Sequence, residues 1–189
     1  KEATAESVRK VNAEVVVIAT GATALIPQLP GIGGKNVVTG VDLLMGRAQV
    51  GDRVIVAGGG VTGCEIGVWL AQKGKKVTIV EMMGQLIPEQ IHLANRIMLL
   101  EMVKNSGVAS VTGARIEKVT AGGVVIREKR ATRELAGDSV VLALGLTPQS
   151  QLKDSLKNVP FAVSAIGDCV KTGKIFKAIW EGFHAARLL

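Results

Sequence analysis

The feature that most constrains the fold is the glycine motif G-x-G-x-x-G, formed by Gly58, Gly60 and Gly63. The apolar segment Arg53–Ala57 directly precedes it, and the segment Lys76–Glu81 follows it and ends in an acid. Continuous runs rich in Val and Ile are typical of buried strands in a parallel sheet. The motif alone is weak evidence, but a strand before it, a helix through it and a strand roughly twenty residues later predict a dinucleotide-binding βαβ unit.

Each glycine of the motif has its own physical reason. Gly58 permits a tight turn from strand to helix, Gly60 lets the main chain approach a pyrophosphate, and Gly63 lets the helix pack closely on the strand. The helix that begins at Val61 and Thr62 is expected to offer main-chain N–H groups and the positive end of its dipole to phosphates. The alternative is a glycine-rich turn that binds no ligand.

The acid at the end of the second strand predicts which nucleotide is bound. A carboxylate at Glu81 accepts hydrogen bonds from the hydroxyls of an adenosine ribose, whereas a 2′-phosphate would meet like charge and would need an arginine. Residues 82–91 contain no Arg or Lys. The sequence therefore favours NAD(H) over NADP(H), with Met82 as a further candidate contact. The alternative for Glu81 is that it caps an exposed strand end.

Composition and charge exclude other classes of partner. Apolar residues make up 48% of the 189 residues and charged residues 21%, which predicts a packed core rather than disorder. The net charge of +7 is scattered, with one mild cluster at residues 127–133, and aromatic residues are only 3%. Because a nucleic-acid site combines a basic stripe with aromatic residues, no nucleic-acid partner is predicted.

The two cysteines, Cys64 and Cys169, are isolated and form no C-x-x-C pair. They predict neither a zinc site nor a redox dithiol, and free thiols are typical of a cytoplasmic protein. No apolar run approaches the roughly 18 residues that a membrane span needs, so no membrane partner is predicted. Because the chain starts at Lys1 without Met, we expect it to be a fragment of a longer protein.

A repeated pattern predicts how the chain is organised. The end of a buried strand is followed by a small residue, a Thr or Leu, and a glycine. This pattern occurs at residues 18–21, where it includes Thr20 and Gly21, and again at residues 142–145. One copy precedes the glycine motif and the other follows it, which predicts a nucleotide-binding domain inserted into a host domain. The other predicted elements are helices at 3–10, 41–47, 61–73, 88–105 and 175–189, strands at 14–19, 36–38, 139–144 and 161–166, and an antiparallel hairpin within 109–134.

Four motifs together resemble the two-dinucleotide-domain flavoprotein reductases. They are Ala-Thr-Gly at 19–21, the glycine motif at 58–63, Ala-Leu-Gly at 143–145 and Ala-Ile-Gly-Asp-Cys at 165–169. The chain is most similar to the C-terminal region of the NADH:flavin oxidoreductases of the enoate reductase, 2,4-dienoyl-CoA reductase and trimethylamine dehydrogenase group. The likeness continues after residue 169 through Lys174-Ile175, Ala178-Ile179 and Glu181-Gly182-Phe183, so it covers essentially the whole chain.

This resemblance implies an α/β fold, in which a Rossmann-like parallel sheet with an antiparallel hairpin layer is inserted into a partial FAD-type domain. Residues 37–146 would form the NAD(H)-binding domain, and residues 1–36 and 147–189 would form parts of the FAD-type domain. The chain departs from the group in three respects. It lacks a second glycine motif for the FAD pyrophosphate, the FMN-bearing barrel, and the cysteine cluster of an iron–sulfur centre.

The resemblance also implies roles for individual residues. Asp168, which follows Gly167, would bind the ribityl or ribose region of FAD, and the helix at 175–189 would point its amino end at the flavin ring. Glu65 would reach the nicotinamide amide, although the helix dipole alone also explains an acid near a helix start. Gly145 would line the NAD cleft, and Thr20 and Gly21, which follow the first strand of the repeated pattern, are further candidate cofactor-binding residues.

The implied reaction of the whole protein is hydride transfer from NADH to FAD, followed by electron transfer to another centre. FMN and an iron–sulfur cluster would belong to a missing N-terminal region. The cofactors carry this chemistry, and the protein contributes orientation, charge and the exclusion of water. Two alternatives stay open: a non-catalytic NAD-binding regulatory module and an NADPH-dependent relative.

Overall fold

The computed structural model describes residues 2–88 and 91–188. The chain divides into two compact units, a smaller one of Lys1–Thr23 with Leu146–Leu189 and a larger one of Ala24–Gly145. The segment that forms the larger unit is thus bracketed in sequence by the two parts of the smaller one. The domain limits expected from the sequence, at residues 36 and 146, remain a prediction about the whole protein.

The helices and strands follow one another in short succession. The strands are β1 (Val15–Ile18), β2 (Ala22–Ala24), β3 (Val37–Thr39), β4 (Arg53–Ala57), β5 (Lys76–Glu81), β6 (Ala109–Thr112), β7 (Ala114–Thr120), β8 (Gly123–Glu128), β9 (Ala131–Ala136), β10 (Ser139–Leu142), β11 (Leu146–Pro148) and β12 (Ala162–Ala165). The helices are α1 (Ala5–Arg9), α2 (Gly40–Leu44), α3 (Val61–Gln72), α4 (Leu93–Asn105), α5 (Gln151–Ser155) and α6 (Ile175–Arg187), and a 3₁₀ turn covers Gly167–Cys169. No helix among the described residues is long and apolar enough to cross a membrane.

The larger unit is built on a five-stranded sheet with the order β3-β10-β4-β5-β6, in which all neighbouring strands are parallel. In the centre of the sheet, Val56 of β4 is in register with Val141 on one side and with Ile79 on the other. The chain moves outward from β4 through β5 to β6 and returns to the opposite side of β4 as β10. The strand order therefore reverses at β4, and such a reversal opens a crevice at the carboxyl ends of the strands.

Both faces of this sheet are covered, which explains why its strands are continuous apolar runs. Successive side chains of a strand point to opposite faces. Val54 and Val56 belong to the core formed with the helices, whereas Ile55 and Ala57 belong to the core formed with the antiparallel layer. Because every position of β4 after Arg53 is buried, its sequence shows no polar alternation.

The antiparallel layer is a three-stranded sheet with the order β7-β8-β9. Its apolar side packs on the parallel sheet through Ala114, Val119, Val124 and Ile126. A parallel sheet with an antiparallel layer is the α/β fold that the sequence predicts, and this prediction is confirmed. The predicted hairpin is extended by β9, which pairs along β8 over six residue pairs.

The smaller unit has a modest core. Strand β1 pairs in parallel with β12, with Val16 opposite Val163, and β2 pairs with β11 in a separate two-stranded sheet. The buried residues of its core are Ile18, Leu156 and Cys169. Helix α6 has no buried residue and exposes a row of large apolar side chains: Ile175, Phe176, Ile179, Trp180 and Phe183. The last residue predicted for this helix, at position 189, lies outside the described residues.

The helix predicted at residues 88–105 begins later than expected, and this prediction is corrected. Helix α4 starts at Leu93, Pro88 lies in the preceding loop, and positions 89 and 90 lie outside the described residues. The loop turns back because the Ile87 N–H donates a hydrogen bond to the Gly59 carbonyl at 2.7 Å. Ile87 has a φ of +50°, which no right-handed helix accommodates.

The burial of the central strands makes a first prediction about stability. Replacing Ile79→Ala, at a side chain that is 0% exposed, should lower the free energy of unfolding by about 3 kcal/mol, because a cavity opens between the sheet and its helices. The matched control is Ile97→Ala on α4, where the side chain is 50% exposed and the loss should stay below about 1 kcal/mol. Urea denaturation of both variants measures the difference, and equal losses would contradict the described core.

Candidate dinucleotide-binding site

The glycine motif lies at the junction between β4 and α3. Gly58 has a φ of +105°, and its N–H donates to the carbonyl of Val80 at 2.9 Å. The chain therefore stays bonded to β5 while it leaves the sheet. Gly60 is the N-cap residue of α3, and its carbonyl accepts a hydrogen bond from the Cys64 N–H at 3.0 Å. Residues 58–63 thus form a strand-to-helix turn.

Two glycines of the motif have no room for a side chain. A Cβ at Gly58 would overlap the carbonyl oxygen of Ala143, and a Cβ at Gly63 would overlap the carbonyl oxygen of Gly58. Gly63 therefore allows α3 to start against the turn at main-chain distance. Gly58 allows the turn to pass directly beside the end of β10, where the Ala143 N–H donates to the Ala57 carbonyl at 2.8 Å.

This turn lies at the point where the strand order of the sheet reverses. The two neighbours of β4 are β5 and β10, and Ala143 next to Gly58 follows β10 directly. Gly145, predicted to line the cofactor cleft, is two residues further on and has a φ of +97°. Ligands of open α/β sheets bind outside the carboxyl ends of the strands at such a reversal. The turn, the end of β5 and residues 143–145 all border this position.

Glu81 is the last residue of β5, and its side chain is only 8% exposed. Its Oε2 accepts a hydrogen bond from the Gly59 N–H at 2.6 Å, and its Oε1 accepts one from the Met83 N–H at 2.7 Å. These bonds compensate the carboxylate for its burial. The strand end at Glu81 is therefore buried and not exposed. Each carboxylate oxygen has a second lone pair, so the same oxygens can also accept hydroxyl groups.

Gly59 is a residue of this site that the sequence reasoning missed. A Cβ at Gly59 would lie 2.8 Å from the Glu81 Cβ and 2.6 Å from the Leu86 Cδ2. A side chain at this position would therefore displace the acid from its bonds. The signal was present as a third glycine inside the run at 58–60, but the motif pattern leaves the middle position unspecified.

The loop that follows Glu81 folds back onto the glycine motif. The Gly59 carbonyl accepts the N–H of Ile87 at 2.7 Å, and the Met83 carbonyl accepts the N–H of Gly113 at 2.7 Å. Met82, predicted as a cofactor contact, is 63% exposed. The loop is thus fixed through its main chain, whereas the Met82 side chain remains accessible beside the acid.

The start of α3 presents the features of an anion site. The helix begins at Val61, and the amides of Thr62 and Gly63 precede the first helical hydrogen bond, which the Cys64 N–H makes. Main-chain N–H groups in this position, with the positive end of the helix dipole, attract phosphates. Glu65 lies on the first turns of the same helix and is exposed, which leaves its predicted contact with a nicotinamide amide as a prediction.

A second group of candidate residues lies in the smaller unit. The hydroxyl of Thr20 donates to the Gln149 carbonyl at 2.7 Å, and the Gly21 carbonyl accepts the Gln149 N–H at 2.9 Å. Gly21 has a φ of +72°. Both residues therefore secure the chain at the end of β1 to the segment after β11.

Gly167 and Asp168 form the turn that follows β12. Gly167 has a φ of +69°, and its N–H donates to the Glu181 Oε2 at 2.6 Å. The Oδ1 of Asp168 accepts the N–H of Gly173 at 2.9 Å, which shapes the loop leading to α6. The second carboxylate oxygen of Asp168 retains acceptor capacity for a hydroxyl group.

Glu181 is a further residue of this region to which the sequence reasoning gave no role. The Gly167 N–H, and secondly the Lys177 ammonium group, lower the pKa of its carboxyl group. The Lys177 Nζ lies 3.1 Å from the Glu181 Oε1. The carboxylate therefore links α6 to the Gly-Asp turn, and only the matching Glu-Gly-Phe at 181–183 could have drawn attention to it.

Comparison with known proteins places this geometry in a family. The family model described as pyridine nucleotide-disulphide oxidoreductase matches residues 1–186, so the chain belongs to that family. The family is one of flavoprotein oxidoreductases that use FAD and NAD(H). Cys64 and Cys169 are both buried, and neither is part of a disulfide.

Individual relatives match nearly the whole of this chain, but the match covers only a part of each relative. A cinnamate reductase of Clostridium sporogenes is 33% identical over 188 residues, which are 98% of this chain and 28% of the relative. An NADH oxidase of Thermoanaerobacter brockii is 32% identical over 190 residues, 97% of this chain and 29% of the relative. A 2-naphthoyl-CoA reductase structure superposes with a TM-score of 0.88 at 28% identity, covering 96% of this chain and 28% of the other. The chain spans less than a third of these proteins.

The turn geometry predicts that Gly58→Ala is costly. The left-handed φ and the overlap with the Ala143 carbonyl act together, so we expect a loss of at least about 3 kcal/mol in the free energy of unfolding. The control is Gly74→Ala, where φ is +79° but no atom lies within 4 Å of the added Cβ. That variant should lose about 1 kcal/mol from backbone strain alone. Similar losses in urea denaturation would show that the close approach of Ala143 is not a constraint.

The lowered pKa of Glu181 makes a prediction about pH. A carboxylate whose pKa is lowered by folding stabilises the protein above its ordinary pKa of 4.5 and loses this effect as the pH falls through the lowered value. Glu181→Gln should therefore lower the Tm near neutral pH, and its difference from the wild type should shrink below pH 4.5. Thermal unfolding followed by circular dichroism measures this, with Glu14→Gln, an exposed acid of the same unit, as control. A pH-independent difference would contradict the assigned link.

Proposed function

We propose that this chain is the NAD(H)-binding and FAD-positioning part of a flavin-dependent NADH oxidoreductase. The observation that carries the proposal is the strand-to-helix turn at residues 58–63, called the glycine turn below. It lies where the strand order reverses, and its Gly59 amide is hydrogen-bonded to the buried carboxylate of Glu81. An anion site at a helix start and an acceptor one strand away match a diphosphate and its adjoining ribose.

The glycine turn binds the pyrophosphate in this proposal. Gly58, Gly60 and Gly63 keep side chains away from it, and the main chain at Val61 and Thr62 supplies donors and the positive dipole end. The support is steric: Gly58 and Gly63 have no room for a Cβ. In this proposal, a pyrophosphate beside these glycines contacts only the main chain. The main-chain N–H groups then donate to its many acceptor oxygens.

Glu81 selects NAD(H) in this proposal. The Gly59 and Met83 amides hold its carboxylate in place, and its remaining lone pairs accept the ribose hydroxyls. A 2′-phosphate at the same position would face the negative charge. Met82 borders the adenosine, Glu65 reaches the nicotinamide amide, and Gly145 lines the cleft.

The smaller unit contributes to FAD positioning. Asp168 and Gly167 bind the ribityl or ribose region, α6 points its amino end at the flavin ring, and Thr20 and Gly21 lie beside the cofactor. The bonds that fix the Gly167 turn support this assignment, because a pre-ordered acid loses little freedom on binding. When bound there, FAD would supply the acceptor for the hydride of NADH.

The pyrophosphate of FAD has no glycine motif in this sequence, since the single motif belongs to the NAD(H) site. In the whole protein we therefore assign that part of the FAD site to residues beyond this chain. The proposed division is an NAD(H) domain at 37–146 and parts of an FAD-type domain at 1–36 and 147–189. The chain is inactive alone in this proposal, because it holds only part of the flavin site.

The finer family assignment is to the NADH:flavin oxidoreductases of the enoate reductase, 2,4-dienoyl-CoA reductase and trimethylamine dehydrogenase group. The likeness to a cinnamate reductase and to a 2-naphthoyl-CoA reductase supports it. FMN and an iron–sulfur cluster would then receive the electrons in a further N-terminal region, and the protein would work in the cytoplasm. Purified protein that includes this region should be yellow, whereas a colourless protein that binds NAD would favour the regulatory module.

Nucleotide titration tests the NAD(H) site directly. ADP-ribose contains the adenosine, both phosphates and one further ribose, so it probes the proposed contacts without a flavin. Isothermal titration of the protein should show saturable binding of ADP-ribose, with NADH bound more tightly than NADPH. The absence of ADP-ribose binding would contradict the assignment of the glycine turn.

The role of Glu81 makes a prediction about nucleotide preference. Glu81→Arg should weaken NADH binding by at least about tenfold, because hydrogen bonds from ribose hydroxyls to a charged acceptor are lost. Binding of NADPH relative to NADH should improve, since an arginine attracts the 2′-phosphate. Titration with both nucleotides measures the ratio.

The matched control for charge is Glu101→Gln, at an exposed acid on α4, which should leave both affinities unchanged. Glu81→Gln serves as an intermediate variant, because it keeps one acceptor oxygen but loses the negative charge. An unchanged NADH-to-NADPH ratio in Glu81→Arg would show that this acid does not select the nucleotide.

A further inference from the structure

Arg96 lies near the start of α4 and turns its side chain back to the loop after β5. Its N–H bonds to the His92 carbonyl at 3.1 Å, as the helix requires. Its guanidinium Nη2 lies 3.5 Å from the carbonyl oxygen of Leu86. Its Nε is buried and has no hydrogen-bond partner in the described structure. A buried charged donor without a partner is costly and calls for an explanation.

The carbonyl that Arg96 contacts belongs to the peptide unit between Leu86 and Ile87. The other side of that unit is the Ile87 N–H, which donates to the Gly59 carbonyl at 2.7 Å. Arg96 and the glycine turn therefore act on the same rigid plane from opposite sides. The orientation of this one peptide determines how the loop lies against the turn.

This peptide is held in an unfavourable conformation. Ile87 has a φ of +50° and is fully buried. A β-branched residue in the left-handed region is strained and persists only where its surroundings fix it. The hydrogen bonds on both sides of the peptide oppose its rotation together with the packing around Ile87, and the bond from Arg96 is the longer and weaker of the two.

We propose that Arg96 is a positioning residue for the adenosine half of the nucleotide. It holds the strained Leu86–Ile87 peptide against the Gly59 carbonyl, and so keeps the loop beside Glu81 in the shape that receives the ribose. This inference rests on the proposed NAD(H) function and adds to that site a residue of α4.

The test compares ADP-ribose binding by the wild type, Arg96→Met and Arg96→Lys. Arg96→Met should raise the Kd for ADP-ribose about tenfold, because the Leu86–Ile87 peptide loses one of its two hydrogen bonds. Arg96→Lys keeps a charged donor of similar reach and should recover a substantial part of the affinity. The matched control is Lys104→Met, which removes a cation from the exposed last turn of the same helix and should leave the Kd unchanged.

Thermal unfolding with and without ADP-ribose separates positioning from a general effect on folding. A purely structural role would lower the Tm of Arg96→Met equally in both conditions and would leave the Kd of the folded protein unchanged. The proposal expects instead that the Tm increase produced by a fixed concentration of ADP-ribose is smaller in Arg96→Met than in the wild type. Wild-type binding with an unchanged Kd in Arg96→Met would overturn the role of Arg96 alone. An absence of wild-type binding would overturn the NAD(H) function as well.

Discussion

The candidate site depends on one buried interaction, the pairing of the Glu81 carboxylate with two main-chain amides. A buried carboxyl group in this position is tolerated because both of its oxygens are hydrogen-bonded. Gly59 belongs to the turn before α3, and Met83 belongs to the loop after β5. A single side chain therefore joins the two segments that border the crevice at the reversal of strand order. Glu81 therefore fixes the relative positions of these two segments through bonds within the protein alone.

The sequence predicts the centre of the fold well because that centre is decided locally. The bounds of β4 and β5 follow from continuous apolar runs, and α3 follows from the glycines before it. The start of α4 could not be predicted in this way. It depends on the bond from Ile87 to Gly59, between residues 28 positions apart, and on a left-handed residue that no local preference favours. The same holds for the amide bonds of Glu81, since the sequence shows that an acid is present but not what it contacts.

The smaller unit was predicted less completely, for a related reason. Strands β2 and β11 are only three residues long and contain no apolar run from which a strand could be predicted. Their pairing also joins distant parts of the chain. The core of this unit is small, and α6 leaves its row of large apolar side chains exposed. The sequence did predict that this helix is amphipathic. Periodicity identifies which face of a helix is apolar, but it does not say what covers that face.

The double bonding of Glu81 also bears on how nucleotide preference could be altered. If Glu81 contacted only the ribose in the proposed site, a cation could replace it without any change in the structure of the protein. Here the same oxygens anchor Gly59 and Met83, so removing the acid disturbs the turn and the loop together. In the proposed site, a cation in place of the exposed Met82 would attract a 2′-phosphate beside the acid while the bonds of Glu81 stay intact. Glu81 therefore carries both the charge and the bonds that shape the site, and a change of charge at position 82 alters the first without the second.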